Sequence, residues 1–161
     1  MSKNTTNLGI RQVDRDDRKI LREVQQDCTR SLDRIAERVG LSRTTVWNRV
    51  QKLLFDGVIL RQAAIVDARK IGLAQTFFVT IRTSRHDTEW LEAFRIAILE
   101  MPQITEAHRL AGTTDYLLKV QVTSTEAFDD FYKELVSRVA IFDVSSSLSM
   151  EEMKRSLDLP V

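Results

Sequence analysis

A single glycine between two short amphipathic stripes constrains this chain more than any other feature. Leu32, Ile35, Ala36 and Val39 fall at i, i+3, i+4 and i+7, so they line one face of a helix that Ser31 opens as its amino cap. Gly40 ends that helix, because glycine accepts the left-handed conformation, and Leu41 turns back toward the core. Ser42 then caps a further helix whose Val46, Val50 and Leu53 form one stripe before Gly57 closes it. Helix, glycine turn and helix in this spacing predict a helix-turn-helix. Ahead of it, Asp14, Asp16 and Asp17 precede Ile20, Leu21 and Val24, the acidic first turn and apolar stripe of a helix running to about Gln26.

The face of the third helix turned away from its stripe carries Thr44, Thr45, Asn48, Gln51 and Lys52, flanked by Arg43 and Arg49. Arginine and asparagine make paired hydrogen bonds to guanine and adenine edges, and threonine offers a hydroxyl and a methyl to thymine. The hydroxyls and amides at the helix starts, Ser31 and Ser42, suit phosphate oxygens. The expected DNA-contacting set is therefore Ser31, Ser42, Arg43, Thr44, Thr45, Asn48, Arg49 and Lys52, with double-stranded DNA as partner. Trp47 and Leu54 are expected to pack against the first helix. The charge balance agrees. Net charge is +1 over the whole chain, yet residues 1–62 hold 13 Lys plus Arg against 8 Asp plus Glu, and the remainder holds 11 against 15, so +5 and −4 cancel.

Beyond the helices, Val58 to Val66 is rich in β-formers and is expected to be a strand, with Asp67 to Leu73 as a hinge. Phe77, Val79 and Ile81 alternate with Phe78, Thr80 and Arg82, as a strand with distinct faces would. A helix with Leu91, Phe94 and Ile98 on one side is stopped by Pro102. Ile104 to Ala111 reads as a second strand, Gly112-Thr-Thr-Asp115 as a turn, and Tyr116, Leu118, Val120 and Val122 as one face of a third. A helix built on Phe128, Phe131 and Leu135 and a strand from about Ile141 to Met150 complete a βαββαβ order. The expected class is α+β: a flexible arm over 1–13, a winged-helix-like helix-turn-helix over 14–62, a connecting strand end and hinge over 63–73, and a ferredoxin-like domain over 74–161. Helices on one sheet face leave the other free for association.

The 161 residues are too few for a barrel enzyme or a two-lobed kinase. Met1 to Asn7 is polar, without the apolar stretch of a secretory signal, and no segment approaches the length of a membrane span, so a cytoplasmic protein without membrane contact is expected. Cys28, the single cysteine, cannot close a disulfide or a zinc site alone. His86 and His108 sit in no metal or nucleophile motif, and His108 reads as a hydrogen-bonded structural histidine on a strand face. Asp129-Asp130 and Glu151-Glu152 are neighbours that do not converge on a helix. No phosphate-cradling glycine loop is visible. No catalytic residue, metal or cofactor is therefore expected.

The stretch Ser31-Leu-Asp-Arg-Ile-Ala-Glu-Arg-Val-Gly-Leu-Ser42, followed by Val46, Arg49, Leu53 and Gly57-Val-Ile59, resembles the DNA-binding signature of the Lrp/AsnC (leucine-responsive, feast/famine) transcription regulators. Leu54 stands where that family usually has glutamate. Met101-Pro-Gln-Ile-Thr-Glu-Ala-His108, Gly112-Thr-Thr-Asp115-Tyr-Leu-Leu-Lys119 and Met150-Glu-Glu-Met-Lys154 resemble its ligand-binding and assembly domain. The resemblance implies a homodimer or a larger closed assembly up to an octamer, and a small effector, usually an amino acid, lodged around the glycine-to-aspartate turn. Carried over by position, it implicates Ala111, Gly112, Asp115 and Tyr116, with Ser146 in the last strand. Thr113 and Thr114 replace residues that are often acidic or bulky there. Two other readings fit the same residues: an architectural, nucleoid-associated DNA binder with little sequence preference, and a stand-alone amino-acid-binding module. Hairpin shaping accounts for Gly112 and Asp115 as readily as ligand binding does.

Overall fold

The computed structural model describes residues 12–85 and 87–161, so the expected arm over 1–13 and His86 fall wholly or mainly outside the described residues. The chain divides into two compact units, one comprising the amino-terminal residues to Ala64 together with Lys154–Val161, the other Ile65–Met153.

In the first unit, α1 (Arg15–Gln26) opens with a reciprocal capping box: Asp14 accepts from the amide of Asp17, and Asp17 accepts from that of Asp14. Ser31 caps α2 (Leu32–Val39), and Gly40 at φ +71° ends it, with Leu41 packed on the cluster beneath. Ser42 caps α3 (Arg43–Phe55). The stripes read from the sequence are the ones buried: Ile20, Leu21, Ile35, Ala36, Val39, Val46, Val50 and Leu53 form one core. Leu54 packs against it, but Trp47 is half exposed rather than docked on α1. Asp17 is buried, 1% exposed, among the apolar residues.

No strand forms over 58–66, which corrects that expectation. Val58 and Ile59 fold back on the helical core through the amides they donate to the Leu53 carbonyl, and 60–67 is exposed, with no strand among the described residues to pair it. High β-propensity without a ladder partner does not make a strand.

The second unit runs β1 (Gln75–Arg82), α4 (Thr88–Glu100), β2 (Ile104–Arg109), β3 (Tyr116–Val122), α5 (Thr125–Arg138), β4 (Asp143–Leu148), the βαββαβ order expected. The antiparallel sheet has the order β2-β3-β1-β4, which puts β2 and β4 at its edges and the long β1–β3 ladder in its middle. Phe77, Val79, Ile81, Tyr116, Leu118, Val120 and Val122 face the helices and meet Trp90, Phe94, Ala97, Met101, Phe131, Leu135 and Val139. On α4 the buried residues are Trp90, Phe94 and Ala97; of the stripe expected, Phe94 is buried and Ile98 packs on the core, while Leu91 is exposed and Trp90 takes its place. Ile96 and Leu99 lie on the exposed side of that helix among Glu92, Arg95 and Glu100, so its periodicity is shallow, and the indole N–H of Trp90 anchors its inner face by donating to the Ala140 carbonyl at 2.6 Å. His108 is exposed on the edge strand β2 with Glu106 3.7 Å away, rather than built into the core. Among the described residues no helix is long and apolar enough to cross a membrane.

Candidate nucleic-acid interface and effector turn

Helix α3 owes its position to its own sequence. Val46, Val50 and Leu53 anchor one side, which turns Arg43, Thr44, Asn48, Gln51 and Lys52 outward, where all five are exposed. Thr45, Asn48, Arg49 and Lys52 line an open concavity with Asp14 of the first unit's leading cap.

The eight residues expected at the interface divide by their existing partners. Asn48, Lys52 and Thr44 present exposed side chains on one surface. Arg43 is exposed and lies 3.7 Å from Asp33 of α2, a contact that water and salt screen. Ser31 and Ser42 use their hydroxyls as caps, accepting from Arg34 at 3.3 Å and Thr45 at 3.1 Å, and Thr45 Oγ1 lies 2.8 Å from Ser42 Oγ.

Arg49 is engaged differently. Its Nη1 donates to Asp14 Oδ2 at 2.6 Å and to Asp17 Oδ1 at 2.9 Å, so it ties α3 to the start of α1. These hydrogen bonds raise its pKa above the ordinary arginine value, the bond to Asp14 contributing most. The sequence showed the acidic first turn but not this pairing, because 32 and 35 residues separate the partners. Asp14 itself is held below its ordinary value of 3.8, first by the Asp17 amide and then by the Arg49 guanidinium. A carboxylate with a depressed folded pKa contributes stability above its unfolded pKa and loses it as pH falls through the folded one. The expected result is that acid weakens this unit below about pH 4, and that Asp14→Asn, which removes the charge, flattens that dependence; urea midpoints at pH 6 and pH 3 measure it.

In the second unit the 111–115 turn joins β2 to β3. Gly112 sits at φ +153°, a conformation that strains a side chain, and Ala111 and Gly112 are exposed. Asp115 is woven into the end of the sheet. Its amide donates to the Ile81 carbonyl at 3.0 Å, its carbonyl accepts from Leu110 at 2.8 Å, and its Oδ2 accepts from the Thr83 amide at 2.8 Å. Tyr116 is 7% exposed, with its ring against Trp90 and Phe94 at 5.8 and 4.6 Å, which commits that ring to the core. Ser146 is exposed on β4 opposite Val79, three residues along and two strands across from the Asp115 row, roughly 14 Å by strand spacing. Within one chain the turn therefore gathers Ala111, Gly112 and Asp115 and leaves Ser146 apart. Among the described residues no cluster of three metal-ligating side chains occurs.

An AsnC-type helix-turn-helix model matches residues 13–54, and a Lrp/AsnC ligand binding domain model matches residues 76–159. The chain belongs to the Lrp/AsnC family. The Escherichia coli DNA-binding transcriptional activator DecR is 43% identical over 150 residues, covering 92% of this chain and 99% of that protein. A crystal structure of an AsnC family transcriptional regulator from Agrobacterium tumefaciens, 45% identical, superposes with a TM-score of 0.88 over 91% of this chain and 96% of that one. A transcriptional regulator of Neisseria meningitidis, solved as a complex with L-Met, is 28% identical with a TM-score of 0.87, covering 92% and 97% of the two chains. This Lrp/AsnC chain is a helix-turn-helix transcriptional regulator, and the family's members are regulators rather than enzymes.

Proposed function

We propose that this regulator acts in the cytoplasm as a homodimer or a larger closed assembly up to an octamer, reading a roughly palindromic duplex with the outer face of α3 and responding to an amino acid. The observation that carries the DNA reading is that Thr44, Asn48 and Lys52 share one exposed surface fixed by a buried stripe. Asn48 and Thr44 supply base-edge chemistry, Lys52 and Arg43 supply charge for phosphates, and Ser31, Ser42 and Thr45 hold the helix starts beside the backbone. Arg49 serves this surface by fixing α3 to α1. Two-fold pairing puts half-sites about 10 base pairs apart or a multiple of that. A salt-controlled shift assay of the intact protein tests this: a selected duplex should bind at least about a thousandfold tighter than random DNA, whereas a ratio near one favours architectural binding.

Self-association is supported by the sheet face away from the helices, where Phe78 stands exposed between Lys119 of β3 and Ser147 of β4, with Leu117 one diagonal step away. The effector reading rests on Gly112 and Asp115 at an exposed turn and on the L-Met bound by the Neisseria relative. Exposed amides can take the carboxylate of an amino acid and Asp115 its ammonium. In a thermal-shift screen of the twenty amino acids, one present at 100 times its Kd stabilises the native state by about 2.7 kcal/mol. The expected hit disappears in Asp115→Asn; a shift that survives that change, with the variant folded, removes the turn from the site.

A further inference from the structure

Residues Lys154–Val161 follow the sheet unit in sequence but pack with the helical unit. The side-chain amide of Gln25, in the last turn of α1, satisfies both backbone groups of Leu159: the Leu159 amide donates to Gln25 Oε1 at 2.7 Å, and Gln25 Nε2 donates to the Leu159 carbonyl at 3.2 Å. Three residues earlier on the same helix face, Arg22 Nε donates to the Val161 carbonyl at 2.5 Å. The Val161 side chain, alone in 150–161 in being partly buried, packs on the helical core, while Leu157 and Leu159 remain exposed. An irregular segment held by a two-sided amide clamp, a guanidinium and one apolar plug is a seated strand of chain rather than a loose end.

The helix it seats on needs such support. At 12 residues α1 is too short to persist alone, and of its buried residues Asp17 and Ile20 lie in its first half and Leu21 immediately after it. That first half carries Asp14 and Asp17, which hold Arg49 of α3 at 2.6 and 2.9 Å. We propose that Lys154–Val161 is a clip on α1, and that by steadying α1 it positions the DNA-reading helix through the Asp14, Asp17 and Arg49 contacts. The segment touches no DNA in this scheme; Gln25 and Arg22 are positioning residues.

The proposal rests, for its effect on DNA, on α3 being the reading helix, so two readouts are needed on the intact protein, on a chain ending after Arg155 and on Gln25→Ala. The first is hydrogen exchange. Amides of the second half of α1, Leu21 to Gln26, should exchange about tenfold faster in both variants, because local opening no longer breaks the clamp, while those of β1 and β3 stay unchanged. The second is affinity for a selected duplex, which should fall severalfold in parallel. Unchanged exchange in α1, or an equal rise in β1 and β3, overturns the clip. Should the shortened chain fail to fold, Gln25→Ala alone decides, since its substitution keeps a good helix former in place. Faster α1 exchange in a protein that never bound DNA selectively would defeat the reading of α3 and leave the clip standing.

Discussion

Leu53→Ala is expected to remove most of the stability of the helical unit and weaken DNA binding while the sheet unit stays as stable as before. Leu53 is fully buried at 0% exposure in a core of eight buried residues, on which partly buried residues such as Leu54, Val58 and Ile59 also pack. Removing its isobutyl group costs about 3 kcal/mol in lost burial and residual cavity. A unit this small holds about 5 kcal/mol or less, so the change uses most of its margin. The sheet unit has its own core of fourteen buried residues, none of them shared with the first. The chain's two tryptophans make the outcome readable. Trp47 sits on α3 and Trp90 in the core of the sheet unit, so fluorescence of Trp47→Phe and Trp90→Phe versions separates the two transitions. The transition reported by Trp47 should fall sharply in urea and that reported by Trp90 should not; a single coincident shift in both would contradict two separate cores.

The second large effect concerns what α3 reads. Asn48→Ala should lower affinity for the selected duplex about five- to 150-fold and barely change affinity for random DNA, because a paired contact to a base edge carries about 1–3 kcal/mol of discrimination. Lys52→Ala should weaken both about equally and reduce the slope of affinity against salt by about one per contact, since a phosphate contact releases counterions without reading sequence. Arg49→Ala belongs to neither pattern. Arg49 lies 2.9 Å from the buried Asp17, so its loss should act through the stability of the unit.

The helices were legible because each carries its own local signals. Asp14, Ser31 and Ser42 cap, Gly40 stops, and the stripes Leu32, Ile35, Ala36, Val39 and Val46, Val50, Leu53 repeat at the helical period. The βαββαβ order was legible from alternation, most cleanly in β3, where Tyr116, Leu118, Val120 and Val122 are all buried. What escaped involves partners far along the chain. The Arg49 pair joins residues 35 and 32 apart, and the Gln25 clamp spans 134, separations at which no spacing rule operates. The segment 58–66 had the composition of a strand and lacked a neighbour, which composition does not supply. The candidate sites were legible as residue types but not as roles. Ser31 and Ser42 are the caps their local sequence announces, whereas Arg49 as a tie, Tyr116 as core and Asp115 as the partner of the Thr83 amide were decided by contacts across the fold.

Whether the exposed face of α3 reads DNA sequence is open to direct measurement. The most direct measurement selects a duplex from a randomised pool with the intact protein, then titrates it and a random duplex with wild type, Asn48→Ala and Lys52→Ala across a series of salt concentrations. Asn48→Ala should lower the ratio between the two duplexes by about five- to 150-fold, whereas Lys52→Ala should preserve the ratio and shallow the salt slope. An Asn48→Ala protein that folds and keeps the wild-type ratio would contradict sequence reading by that face.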